Sequence, residues 1–196
     1  HELNYLKELS KKYKKIKNIK NLKNLSRKEK ISETIKALNN GYELIYGGWL
    51  QSGKWSGEID FLEINTKKKS NLGNWSYEVI DTKYSSRVKS DHIYQVSLYS
   101  FLINEAQGFL PENFYILLKD KSKEAVKLTD VYETFLVHKT SYENFIESEL
   151  NGLNKKKNNY FSFCDLKAVC ENEIVHEKHL SHVLGTNKKN IKKLNN

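Results

Sequence analysis

The feature that most constrains this chain is a pair of strand-like runs, each carrying one aspartate inside an otherwise apolar segment. The first run reads G-E-I-D-F-L-E-I and contains Asp60. The second reads Y-E-V-I-D-T-K-Y and contains Asp81, followed two residues later by Lys83. Side chains alternate between the faces of a strand, so Asp81 and Lys83 point the same way. Because a buried carboxylate is unfavourable unless something pairs with it, the pattern predicts a partner for both acids.

Two interpretations of this pattern are open. A divalent cation such as Mg²⁺ would accept the carboxylate oxygens, and Lys83 would orient or deprotonate a metal-bound water, as in a phosphodiester-cleaving site. Alternatively, the aspartates end their strands and Lys83 is only their ion-pair partner. The next segment favours the first interpretation. Ser90 can cap a helix on which Asp91, Gln95 and Tyr99 recur four residues apart as a polar stripe.

These motifs resemble the RecB-like branch of the PD-(D/E)XK nuclease superfamily. The similar motifs are H-E, G-x-x-D-F, D-x-K and Q-x-x-x-Y, at residues 1–2, 57–61, 81–83 and 95–99. The resemblance covers residues 1–184 as one nuclease domain. It implies an α/β fold with a restriction-endonuclease-like αβββαβ core, in which helices flank a mixed central sheet. It also implies that further domains belong to a longer chain.

Roles for the site residues are implied by the same resemblance. Asp60, Asp81 and His1 would bind the metal, with the carbonyl of Thr82 nearby, and Lys83 would be the catalytic lysine. The implied activity is Mg²⁺- or Mn²⁺-dependent hydrolysis of DNA in repair, recombination or defence. A catalytically inactive nucleic-acid-binding module of the same fold is the alternative.

Substrate contacts are expected on the residues that follow the second aspartate. Gln95 and Tyr99 would position the scissile phosphate or Lys83 itself. Arg87 and Lys89, on the loop before the helix, are further candidates to bind single- or double-stranded DNA.

Positive charge is concentrated at the start of the chain. Residues 1–30 contain eleven lysines and arginines but only three glutamates, within a chain of net charge +9. Such a segment beside a metal site suits a polyanionic substrate. A compositional origin is the alternative, because lysine, asparagine and isoleucine are abundant throughout while arginine occurs only twice.

Hydrophobic periodicity predicts the order of elements. Helices are expected over residues 1–17, from a capping box at Ser26 to Asn39, over 90–106, and once or twice within 130–151. Strands are expected over residues 42–50, 55–65, 75–84, 114–119 and 124–128. The glycine pair at residues 47–48 indicates a bulge or a close approach of substrate.

Apolar and histidine positions give three smaller expectations. An apolar stripe of Tyr94, Leu98 and Phe101 is expected to pack the 90–106 helix on the sheet. His92 is interpreted as a surface residue, although its position near the helix start could face substrate. His138 is also interpreted as a surface residue.

Two cysteines, Cys164 and Cys170, lie near three histidines, His176, His179 and His182. Many RecB-like relatives hold an iron–sulfur cluster with four cysteines; two thiolates do not complete it, so no cluster is expected. Zinc binding is an alternative, but the C-x₅-C spacing is wider than usual. A helical segment with two buried thiols is the prediction.

The remaining expectations concern location and chain ends. The chain has no apolar run of membrane-spanning length and no signal peptide, and with two cysteines this predicts a cytoplasmic protein. It starts at His1 and contains no methionine, so a fragment or a processed chain is expected. Residues 185–196 are predicted to begin a truncated helical segment.

Overall fold

The computed structural model describes residues 2–150 of the chain, with side chains described for residues 2–147. This range contains four helices and six strands. In chain order these elements are α1 (Glu2–Lys12), β1 (Ile16–Asn18), α2 (Arg27–Asn39), β2 (Leu44–Ser52), β3 (Trp55–Asn65), β4 (Ser76–Thr82), α3 (Ser90–Gln107), β5 (Asn113–Leu117), β6 (Lys123–Lys127) and α4 (Leu128–Leu150). The predicted α/β class is confirmed.

Two compact units divide the chain, His1–Lys139 and Thr140–Asn196. The first unit holds all six described strands, and of the second only the end of α4 is described. The predicted boundary at residues 184–185, the two cysteines and the histidines beside them lie outside the described residues. Within the described range, no helix is both long enough and apolar enough to cross a bilayer.

All six strands form one mixed sheet in the order β1-β2-β3-β4-β5-β6. The pairs β1–β2 and β4–β5 are parallel, and the other neighbours are antiparallel. Parallel neighbours cannot be joined by a hairpin, so each pair needs a crossover, which α2 and α3 supply. The succession α2-β2-β3-β4-α3-β5 is the predicted order of one helix, three strands, one helix and one strand.

Two apolar clusters cover the two faces of this sheet. The larger cluster joins Leu38 of α2 and Ile103 of α3 to Val79 of β4. The smaller cluster joins Leu9 of α1 to Ile80 of β4. Because Val79 and Ile80 are neighbours on one strand and point to opposite faces, α1 lies on one face of the sheet and α2 and α3 lie on the other.

The start of the chain differs from the prediction. α1 ends at Lys12 instead of continuing to residue 17, and Ile16–Asn18 form the edge strand β1. The physical reason is the neighbouring edge of β2, whose backbone groups pair in parallel with β1 from Ile16 opposite Leu44. Helical periodicity does not reveal such a partner. The capping box at Ser26 is confirmed, because Ser26 and Glu29 exchange hydrogen bonds there.

α3 packs on the sheet with a face that matches the predicted one in part. Val96 and Ile103 are fully buried in the larger cluster, and Leu98 and Phe101 of the predicted stripe pack against it, whereas Tyr94 is 38% exposed. Tyr94 instead meets the ring of His138 on α4, and Phe101 also lies beside a ring of α4. Apolar side chains surround most of this helix, so periodicity alone does not choose the face that contacts the sheet.

An irregularity shared by β2 and β3 positions Asp60. Gly47 has a φ of 67° and lies opposite Asp60 in a register that continues on both sides, so no residue is inserted. Ile59 and Leu62 nevertheless both belong to the larger cluster, although they are three residues apart, so the alternation of β3 is interrupted between them. The predicted bulge is therefore wrong. The close approach at Gly47 is made by Lys20 of the chain itself.

A buried amide completes the sheet where β5 is too short. β5 pairs with β4 only at Ile80–Thr82, so Tyr77, near the start of β4, needs other partners. Gln107, which is fully buried at the end of α3, supplies them. Its Oε1 accepts a hydrogen bond from Tyr77 N at 2.7 Å, and its Nε2 donates to the carbonyls of Tyr77 and Phe109 at 3.2 and 2.7 Å.

We expect Gln107→Leu to lower the free energy of unfolding by about 2–4 kcal/mol, because it leaves several buried backbone groups without partners. Denaturant unfolding measures this change. The control is Gln51→Leu at an exposed position on β2, which should shift the free energy by less than about 0.5 kcal/mol. Equal stability of the two variants would show that β4 does not depend on this amide.

Candidate active site

The two predicted aspartates face each other across neighbouring strands. β3 and β4 are antiparallel, with Phe61 opposite Ile80, and continuing this register by one residue places Asp60 opposite Asp81. Both lie towards the end of β4 from which the chain passes to α3. The sheet therefore brings together two carboxylates that are twenty-one residues apart in sequence.

Asp60 is held by the backbone and hydroxyl of the residue after Asp81. Thr82 N and Thr82 Oγ1 both donate to Asp60 Oδ2, at 2.8 and 2.7 Å. Burial raises the pKa of Asp60 above its usual value, and the two hydrogen bonds from Thr82 oppose this shift. The structure thus gives Thr82 a defined role beside the acids through its donors, whereas the resemblance implied its carbonyl.

Asp81 is the most deeply buried charge of the site. Its side chain is 3% exposed, and Lys83 Nζ lies 2.7 Å from Oδ2. The ammonium of Lys83 is the charged partner of this buried oxygen, and the pair offsets part of the cost of burying the carboxylate. The pKa of Asp81 is raised to about 6, mainly by burial and also by the charge of Asp60, while Lys83 opposes the shift.

Lys83 also begins a hydrogen-bonded chain along α3. Lys83 Nζ donates to Gln95 Oε1 at 2.6 Å, and Gln95 Nε2 donates to the Tyr99 hydroxyl at 2.8 Å. An ammonium only donates, so the carbonyl end of the Gln95 amide must face Lys83 and the NH₂ end must face Tyr99. The structure therefore brings the predicted D-x-K and Q-x-x-x-Y residues into one network.

A glycine makes room for this network. A Cβ at Gly57 would lie 2.6 Å from the ring of Tyr99, closer than real carbon atoms approach. Tyr99 is only 8% exposed, and burial raises the pKa of its hydroxyl, although the hydrogen bond from Gln95 opposes the shift. The hydroxyl is therefore protonated at neutral pH. The glycine of the G-x-x-D motif is thus explained by packing.

A second cluster, on the α1 side of the acids, was not predicted. Glu2 Oε2 accepts hydrogen bonds from Lys20 Nζ at 2.6 Å and from the Tyr46 hydroxyl at 2.9 Å. Burial favours the neutral form of Glu2, but these two donors outweigh it, and the pKa of Glu2 is lowered. The charge of Glu2 in turn raises the pKa of Asp60 and of Asp81. The H-E motif was the only sequence signal for this third acid.

Of the remaining predicted residues, two lie outside this network and one lies outside the described residues. His1 lies outside the described residues, so its role as a ligand stays a prediction. Arg87 and Lys89 are exposed on the loop between β4 and α3. Over the described range, no hydrogen bond or ion pair joins either side chain to Asp81 or Lys83.

The surface position expected for His92 is wrong. The residue is only 7% exposed. Its Nδ1 accepts a hydrogen bond from Lys89 N at 3.3 Å. Burial lowers the pKa of its imidazole. His92 therefore caps the start of α3, where backbone N–H groups lack helical partners. The expected surface position of His138 is confirmed.

The arrangement offers oxygen ligands to a hard cation. Within residues 2–147, no group of three or more histidine, cysteine, aspartate or glutamate side chains is close enough to hold a metal ion. Mg²⁺ requires less, because it is often held by one or two carboxylates and several waters. The neighbouring carboxylates of Asp60 and Asp81, whose pKa values are both raised by burial, fit that requirement.

Comparison with known proteins adds no assignment. The chain matches no family model, and no curated protein matches it significantly.

We expect Asp81→Asn to stabilise the metal-free protein at high pH relative to low pH. The pKa of Asp81 is raised from 3.8 to about 6, so the folded state binds this proton more tightly than the unfolded state. The penalty for ionising it is absent below about pH 4, grows between pH 4 and 6, and is complete above pH 6. From pH 4 to pH 8 in EDTA, the variant should gain about 1–3 kcal/mol relative to the wild type.

Asp120→Asn is the matched control for this measurement. Asp120 is exposed, and hydrogen bonds from Ser122 lower its pKa, so its removal should act in the opposite direction with pH. Unfolding free energies from denaturant titrations at several pH values distinguish the two cases. Parallel pH profiles for wild type and Asp81→Asn would contradict the raised pKa of Asp81.

Proposed function

We propose that this chain is a metal-dependent nuclease that hydrolyses phosphodiester bonds of DNA. The observation that carries the proposal is the Lys83 ammonium, 2.7 Å from the buried Asp81 and 2.6 Å from the Gln95 amide, beside a second buried aspartate. A purely structural ion pair needs neither the opposed Asp60 nor the relay to Tyr99. A phosphodiester-cleaving site uses all of them.

The proposed fold is the restriction-endonuclease-like core of the PD-(D/E)XK nucleases. Its support is the succession α2-β2-β3-β4-α3-β5, with both aspartates on the neighbouring strands β3 and β4. The D-x-K motif ends β4, and the Q-x-x-x-Y motif lies on the following helix. The RecB-like branch is proposed on the same motifs.

Asp60 and Asp81 are the residues that would hold Mg²⁺ or Mn²⁺. When bound, such an ion supplies a Lewis acid at the scissile phosphate and lowers the pKa of a coordinated water. In its absence burial raises the pKa of both carboxyls, and the charge of Asp60 adds to the shift of Asp81. A cation would remove this penalty, so the chemistry of the ligands fits the ion.

The side chains around the acids have separate tasks. Lys83 presents a positive charge where negative charge accumulates on a phosphate under attack, and it can hold the attacking water in place. Gln95 fixes the position of the ammonium. Tyr99, packed over Gly57, fixes the orientation of the Gln95 amide. The resulting lysine is positioned before substrate arrives, which lowers the cost of organising the transition state.

The decisive experiment incubates end-labelled single- and double-stranded DNA with the protein in Mg²⁺, Mn²⁺ or EDTA and separates the products by size. We expect cleavage with either metal and none in EDTA. Asp81→Asn and Lys83→Gln should each lower the rate by at least about 100-fold, because each removes a group that acts on the reacting atoms.

Lys36→Gln is the matched control for Lys83→Gln. Lys36 also pairs with an acid, Glu33, at 2.9 Å, but it is 65% exposed on α2 and lies outside the network. Its rate should equal that of the wild type. Binding of DNA without cleavage under every metal condition would support the inactive binding module instead. Full activity of Lys83→Gln would refute the site assignment.

Tyr99→Phe tests the positioning role of the hydroxyl. The ring would still pack over Gly57, but Gln95 Nε2 would lose its acceptor, so the amide could rotate away from Lys83. We expect kcat to fall about 10-fold while KM and thermal stability change little. Gln95→Leu should lower kcat at least as much. A Tyr99→Phe enzyme with a normal kcat would show that the lysine is held without the relay.

A further inference from the structure

A surface pocket of about 520 Å³ adjoins the acidic pair on the α1 side. Its lining includes Lys20, Lys23, Tyr46, Thr82 and Tyr84. Thr82 is the residue that donates two hydrogen bonds to Asp60, so the pocket lies directly beside the candidate catalytic centre. Pockets of about 300–1,000 Å³ are large enough for a drug-sized ligand, and a nucleotide falls within that range.

Tyr84 gives this pocket an exposed aromatic surface. Its side chain is 78% exposed, although most large apolar side chains of this fold are buried. Lys119 Nζ lies 4.8 Å from the centre of the ring, a cation–π contact that orients it. The ring follows Lys83 directly in the chain. A flat, exposed ring beside a phosphate-cleaving site is typical of a surface on which a nucleobase stacks.

The two lysines of the pocket have different roles. Lys20 is bonded to Glu2 at 2.6 Å and lies 3.6 Å from Glu58, so its charge is compensated within the fold. Lys23 is exposed on the loop between β1 and α2. Because Lys23 lines the same pocket as Tyr84, it is placed to contact the phosphate of a nucleotide whose base lies on that ring.

We infer that this pocket binds one unpaired nucleotide of the DNA strand next to the scissile phosphate, with its base stacked on Tyr84 and its backbone held by Lys23. The inference rests on the proposed nuclease function and deepens it by naming the substrate class. Inside a duplex, each base is covered by its neighbours and is out of reach of such a ring. The substrate is therefore a single strand or a single-stranded overhang.

Fluorescence anisotropy with labelled oligonucleotides in EDTA tests this binding without cleavage. Tyr84→Ala should weaken the affinity for single-stranded DNA about 5- to 150-fold, and blunt duplex should bind weakly in every variant. Tyr84→Phe keeps the ring and should bind within about twofold of the wild type. Unchanged thermal unfolding of both variants is expected, because the side chain is exposed.

An abasic position moved along the strand identifies the stacked base. At one position, the abasic oligonucleotide should bind the wild type as weakly as it binds Tyr84→Ala, because the base that stacks is missing. Lys23→Gln should reduce the slope of log affinity against log salt by about 0.7, as expected for the loss of one phosphate contact on a single strand. Lys28→Gln, an exposed lysine on α2 outside the pocket lining, should leave the slope unchanged.

Failure of this inference and failure of the nuclease proposal give different results. Equal single-strand affinity of wild type and Tyr84→Ala, or a preference for blunt duplex, overturns the stacking site, whereas cleavage in Mg²⁺ would still support the nuclease. Binding of single strands that depends on Tyr84, without cleavage in Mg²⁺ or Mn²⁺, upholds the pocket and overturns the nuclease.

Discussion

The burial of two opposed carboxylates is the constraint on which the rest of this structure depends. Asp60 and Asp81 face each other across β3 and β4, and burial raises the pKa of both. A charge in such surroundings requires compensation. Thr82 supplies hydrogen bonds to one acid and Lys83 supplies a positive charge to the other. The pKa of Asp81 is still raised to about 6, so this compensation is incomplete.

Packing around the acids shows how a small number of residues sets their positions. Gly47 and Gly57 are both needed at places where another part of the chain comes close: Lys20 beside the first and the Tyr99 ring beside the second. The first contact brings the lysine that binds Glu2. The second brings the hydroxyl that orients Gln95. At each position the absence of a Cβ leaves space for a neighbouring residue, Lys20 or Tyr99. The side chain of that residue then contacts a member of the site.

The basic start of the chain is only partly available to a polyanion. Lys12, Lys17 and Lys20 are each paired with an acid of the fold, Glu63, Glu33 and Glu2 respectively. These pairs connect α1 to the sheet, β1 to α2 and the following loop to α1, so part of the apparent excess of charge has a structural use. The composition of residues 1–30 therefore overstates the positive surface, and individual lysines such as Lys23 have to be considered one at a time.

What the sequence determined by itself is the set of contacts made over a few residues. Asp81 and Lys83 share a strand face two residues apart, and Gln95 and Tyr99 share a helix face four residues apart, because strand and helix geometry leave no other choice. The order of most helices and strands follows from the same periodicities. The tertiary structure alone decided β1, the face of α3 that packs on the sheet, the burial of His92, and the contacts of Glu2 with Lys20 and of Gln107 with Tyr77. Each of these depends on which elements of the fold pack together. Local periodicity contains no information about contacts between segments that are far apart in the sequence.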